Sequence, residues 1–134
     1  MFHIFYNATD DKSWQRLNHK KFIYREIDFP DRPVSKGHKR KLKKNDEKFK
    51  NMNFSRDFAS SYAQSNEKED RAETFAYMVA YGRRFAEHAQ KSPALWGKMH
   101  YIIENTSSRS LLSTNYWRKK LGNDAMNKNR FKQQ

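Results

Sequence analysis

Glu69 and Glu73 lie four residues apart in the stretch SYAQSNEKEDRAETFAYM, and Tyr62 stands just ahead of them. On a helix this spacing stacks the two carboxylates on one side, one turn above the other. Two aligned carboxylates beside a phenol suit two kinds of chemistry. They can serve the helix itself, by offsetting the dipole at its start and bonding its free backbone groups. They can also serve a metal centre, where a carboxylate is a ligand and a phenol meets charge developing on a polarised carbonyl.

The element that must position them is a helix beginning near Glu67. Asn66 is suited to the N-cap, and Glu69 stands at the capping-box position three residues later. Ala72, Phe75, Ala76 and Val79 follow at i, i+3, i+4 and i+7, which predicts the buried face. Capping alone accounts for Glu69, a solvated helix position for Glu73 and a packed aromatic for Tyr62. Residue type and spacing therefore leave both chemistries open.

Gly82 is expected to end or kink this helix near Tyr81, with a continuation to about Gln90. Ser92 followed by Pro93 opens another helix to about Asn105, with Trp96, Met99, Tyr101, Ile102 and Ile103 as its apolar residues. Leu111, Leu112, Tyr116, Trp117 and Leu121 ahead of Gly122 predict one more short helix. Residues 122–134 read as a disordered tail, leaving 1–121 as a single domain.

Upstream of the central stretch the patterns are weaker. MFHIFY is apolar from the first residue, but it is too short for a membrane span and does not read as a signal peptide. DDKSWQRLN predicts a helical turn held down by Trp14 and Leu17. HKKFIYREIDFPDRPV alternates in part and predicts a short extended segment closed by Pro30 and Pro33. Residues 36–50 hold eight Lys or Arg against two acids, with only Leu42 and Phe49 able to pack, and read as a solvated, disordered basic loop or a frayed helix.

Composition bounds the rest. A chain of 134 residues suits one domain, and its 36 % hydrophobic content implies a thin core reinforced by 3 Trp, 7 Tyr and 10 Phe. The 28 basic residues against 15 acidic ones give a net charge of +13, which favours association with polyanions. The chain has no cysteine, which excludes disulfides and thiolate metal ligands. One function class follows directly: a small basic protein holding nucleic acid or another polyanion through Lys39, Arg40, Lys41, Lys43 and Lys44, with Phe49 or Phe54 free to stack. No sequence signature of a known nucleic-acid-binding module accompanies it.

A second class enters through a likeness. Tyr62, Asn66, Glu67, Glu69, Ala72, Glu73 and Phe75 match a tyrosine, a polar turn and a helix of the form ExExxAExF. This pattern resembles the downstream half of the site in HExxH zinc metallopeptidases of the anthrax lethal factor-like type, a family that includes related bacterial zinc peptidases. The start of the chain looks like the tail of the HExxH helix, with His3 as its second histidine. The likeness covers roughly residues 1–24 and 54–105, with the basic stretch as an insertion. It implies the C-terminal helical part of a zincin-like domain, mainly α, that cleaves peptide or protein substrates by zinc-activated water. His3 and Glu69 would be zinc ligands, Tyr62 the phenol that stabilises or protonates the tetrahedral intermediate, and Glu73 an acceptor supporting them. The first ligand histidine and the catalytic glutamate would fall ahead of Met1. Two ligands are too few for a tight zinc site, so the likeness implies an incomplete peptidase, inactive as written.

Overall fold

The computed structural model describes residues 11–26, 34–48 and 53–131. The described residues form six α-helices and three short 3-10 turns and no strand, so the chain is mainly α. The helices are α1 (Asp11–Gln15), α2 (Lys36–Lys48), α3 (Glu67–Tyr81), α4 (Arg83–Ala89), α5 (Pro93–Ser108) and α6 (Thr114–Leu121). None is long and apolar enough to cross a membrane. The apolar start, Met1 to Tyr6, and Pro30 and Pro33 lie outside the described residues.

Side-chain caps start the longer helices. Asn66 Oδ1 accepts the Glu69 amide at 2.8 Å, Ser92 Oγ that of Leu95 at 3.0 Å and Ser113 Oγ that of Tyr116 at 3.0 Å. Each satisfies a backbone donor that the first helical turn leaves free. Gly82 separates α3 from α4 with φ +53° and ψ −118°, a conformation that only glycine adopts readily. A Cβ there would also lie 2.7 Å from the carbonyl oxygen of Lys120, so the corner can approach α6 only without a side chain.

Helix α5 is the centre of the packing, touching α3, α4 and α6. Leu95, Met99 and Ile102 recur at i, i+4 and i+7 and are fully enclosed, with Trp96 and Ile103 beside them. Trp14, Met78, Phe85, Trp117 and Leu121 complete the core. The polar atoms of the large rings are matched: Trp117 Nε1 donates to Thr106 Oγ1 at 2.8 Å, and Trp96 Nε1 to the Asn127 carbonyl at 3.0 Å.

The structure corrects several expectations. The expected stripe on α3 holds in part: Ala72 is buried and the half-buried Phe75 and Val79 pack against the core, but Ala76 is exposed, and Asp70, Arg71, Thr74 and Met78 are enclosed as well. The basic stretch is a helix over most of its length, because Ser35 Oγ caps it at the His38 amide and one stripe of it finds a docking surface. Among the described residues the segment around Tyr24 forms no strand; the amides of Arg25 and Glu26 bond the carbonyls of Gln64 and Ser65 at the entrance to α3. Residues beyond Gly122 are tied down up to Phe131: Asn123–Met126 is a 3-10 turn, Ala125 is buried, and Phe131 packs against Trp96. Helix α5 also runs to Ser108, past the expected end at Asn105.

Candidate functional site

Tyr62 opens the 3-10 turn Tyr62–Gln64, which packs against the first turns of α3. Burial, followed by the charges of Glu69 and Glu73, pushes the Tyr62 phenol above its ordinary pKa. The fold thus brings together the three described residues that the sequence singled out. Glu73 accepts a hydrogen bond from Ser60 Oγ at 3.0 Å, and the same hydroxyl accepts the Ala63 amide at 3.2 Å. Through Ser60, Glu73 clamps the turn that carries Tyr62. A protonated phenol beside two half-buried carboxylates can donate a hydrogen bond to an anionic or polarised oxygen placed over α3.

The likeness adds zinc to this picture, and the described residues fit it only in part. Among them no group of three His, Asp or Glu side chains is placed to hold a metal ion. Glu69 is the single candidate ligand they supply, and His3 lies outside them. Three protein ligands are the rule for a catalytic zinc, so no chemical step through a metal follows from these residues.

On the core-facing side of α3 lies a cluster that sequence reasoning missed. Asp70 Oδ2 accepts hydrogen bonds from Trp14 Nε1 at 3.0 Å and Tyr24 OH at 2.7 Å, and pairs with Lys98 Nζ at 2.9 Å. Both ionic side chains are 0 % exposed. Lys98 also donates to the Asp57 carbonyl at 2.8 Å and sits 3.7 Å from the Phe58 ring centroid. Burial pushes the Asp70 carboxyl up and the Lys98 ammonium down, and their mutual attraction opposes both shifts. Burial and the neighbouring Asp70 charge also raise the Tyr24 phenol, which stays a donor. Asp70 Oδ1 has no hydrogen-bond partner among the described residues. One signal was available for this cluster: Lys98 interrupts the apolar run of α5 three residues after Leu95 and four before Ile102, on the buried face.

Helix α2 forms the third charged region. His38 Nε2 lies 2.8 Å from the Tyr24 carbonyl, Asn45 Nδ2 donates to the Lys21 carbonyl at 3.1 Å, and Arg25 pairs with Asp46 through both terminal guanidinium nitrogens, Nη1 and Nη2, at 3.1 and 2.9 Å. His38, Leu42 and Asn45 therefore form a docking stripe against the segment that carries Tyr24. Lys39, Arg40, Lys41, Lys43 and Lys44 are all exposed. Comparison with known protein families, characterised proteins and solved structures finds no match to this chain.

Proposed function

We propose that the chain carries the downstream half of a zinc metallopeptidase site, with Glu69 as a metal ligand and Tyr62 as the phenol that faces the scissile carbonyl. The supporting observation is the meeting of Tyr62, Glu69 and Glu73 where the Tyr62–Gln64 turn joins α3. Zinc held by Glu69 and imidazoles would supply an activated water for peptide hydrolysis. The chain's own residues do the positioning: Ser60 ties Glu73 to the turn, and the raised phenol pKa keeps Tyr62 protonated as a donor. Completing the site takes His3, a further histidine and a carboxylate base, so the 134-residue chain alone is expected to hydrolyse little.

The test is to read the in-frame codons ahead of Met1 and to produce the chain with those residues attached. The extended protein is expected to hold one zinc per molecule by metal analysis and to cleave a generic peptide substrate. Glu69→Gln should lower both. Upstream codons without a His-Glu pair, or zinc content indifferent to Glu69→Gln, would overturn the proposal.

The exposed cations of α2 favour a second reading, in which the chain binds a polyanion through Lys39, Arg40, Lys41, Lys43 and Lys44. Binding should weaken steeply with salt and drop when these five are replaced by Gln. A flat salt response would exclude it.

A further inference from the structure

A different surface carries its own combination of charge and aromatic rings. The corner between α3 and α4 meets the end of α6 in an open cleft of about 500 Å³. Tyr81, Gly82 and Arg83 line one wall, and Tyr116, Lys119 and Lys120 the other. No carboxylate is among the lining side chains, and among the described residues no acid forms an ion pair with Arg83, Lys119 or Lys120. Tyr81 is 51 % exposed, one of two large hydrophobic side chains so open to solvent among the described residues. Its ring contacts that of Tyr77, with centroids 5.3 Å apart and planes tilted by 46°. Tyr116 is held edge-on against buried Trp117 at 5.0 Å, so this wall is fixed by the core.

Gly82 lets the two walls approach, since a Cβ there would lie 2.7 Å from the Lys120 carbonyl oxygen. Three cationic residues lining the same cleft as an exposed aromatic ring match a flat ring joined to a phosphate. The cations attract the phosphate, and the ring stacks on any base whatever its sequence. A net charge of +13 adds long-range attraction for the same class of ligand. A base-paired duplex offers no free face to Tyr81, which favours the single strand.

We propose that this cleft binds one nucleotide unit of single-stranded nucleic acid, with the base on Tyr81 and the backbone phosphates among Arg83, Lys119 and Lys120. The site is separate from Tyr62 and Glu69 and from the basic face of α2, and stands whether or not either of those readings holds.

The experiment is fluorescence anisotropy of a 5′-fluorescein-labelled oligothymidylate titrated with the full chain at several salt concentrations. Tyr81→Ala is expected to weaken binding about tenfold, within the range for loss of one stacked base, while Tyr81→Phe stays near the parent. Replacing Lys119 and Lys120 together by Gln should weaken binding and flatten the logarithmic salt slope by about 1.4, as two lost phosphate contacts on a single strand require. Replacing the five α2 cations by Gln should leave the fold-change caused by Tyr81→Ala unaltered. Circular dichroism confirms that each variant is folded. The proposal is overturned if Tyr81→Ala binds as tightly as the parent, or if a duplex of equal length binds as well as the single strand.

Discussion

Glu69 and Asp70 are adjacent in sequence, yet α3 delivers them to opposite surroundings. One residue is a rotation of about 100° on a helix, enough to move a carboxylate from an outer face to the core. Glu69 is half-buried beside Tyr62, whose phenol responds to its charge. Asp70 is fully enclosed by Trp14, Tyr24 and Lys98, and its Oδ2 is used up by them. The first is partly covered, with Glu69 Oε2 shielded from solvent, and the second locks α1 and α5 onto α3. A carboxylate's neighbours, more than its helix, decide whether it does chemistry or holds the fold.

The largest test of this contrast is Asp70→Ala. It strands the Lys98 ammonium in the core and is expected to cost about 3–5 kcal/mol in urea denaturation. Replacing both partners with apolar residues, Asp70→Leu with Lys98→Met, should recover most of that loss, because no buried charge is then left alone. If Asp70→Ala costs no more than a change on the outer face, the division of α3 into two roles fails.

Asn66→Ala removes the cap that both faces share and should cost about 1 kcal/mol in the same measurement. It should also blunt the Glu69 and Asp70 environments together, which chemical-shift changes at Tyr62 and Trp14 would reveal.

A pH measurement sharpens the contrast between interior and outer groups. Burial, partly countered by the Ala125 carbonyl that accepts from the ring, depresses the His100 pKa below its ordinary 6.5. The folded state therefore binds this proton less readily than the unfolded chain. Its stabilising effect is fully present above about pH 6.5 and is lost as pH falls through the folded value. His100→Gln should flatten this acid-side loss in thermal melts recorded from pH 7 downward, and an unchanged slope would count against the assignment.

The smallest effect is expected for Glu69→Gln, below about 1 kcal/mol, because the amide keeps the carboxylate's shape at this half-buried position. A loss as large as that of Asp70→Ala would make Glu69 a structural residue and remove the chemical reading of its face.

Much of the helical framework was legible because its signals are local. Asn66, Ser92 with Pro93, and Gly82 mark helix ends through bonds made within four residues, and the structure places the boundaries there. The buried face of α3 was legible only in part. Ala72, Phe75 and Val79 meet the core as their spacing implies, but Ala76 is exposed, and the core also holds Asp70 and Arg71 because distant groups help to receive them. Those groups are Lys98 for the carboxylate and the rings of Trp14 and Tyr101, each 5.5 Å from the guanidinium, for Arg71. Helix α2 was left open between a loop and a frayed helix for a similar reason. Its docking contacts are hydrogen bonds to Lys21 and Tyr24 carbonyls and an ion pair with Arg25, which leave no hydrophobic period in KGHKRKLKKNDEK.

Sequence alone determined that the chain is helical, strongly basic and without thiol chemistry, and it placed Tyr62, Glu69 and Glu73 within one turn-and-helix unit. These properties depend on composition or on neighbours a few residues away. Tertiary structure alone decided which side of that helix faces the core, that Asp70 and Lys98 meet, and that Tyr81 and the end of α6 share a cleft. Each joins residues far apart in the chain, and only the closing of the core around α5 brings them together.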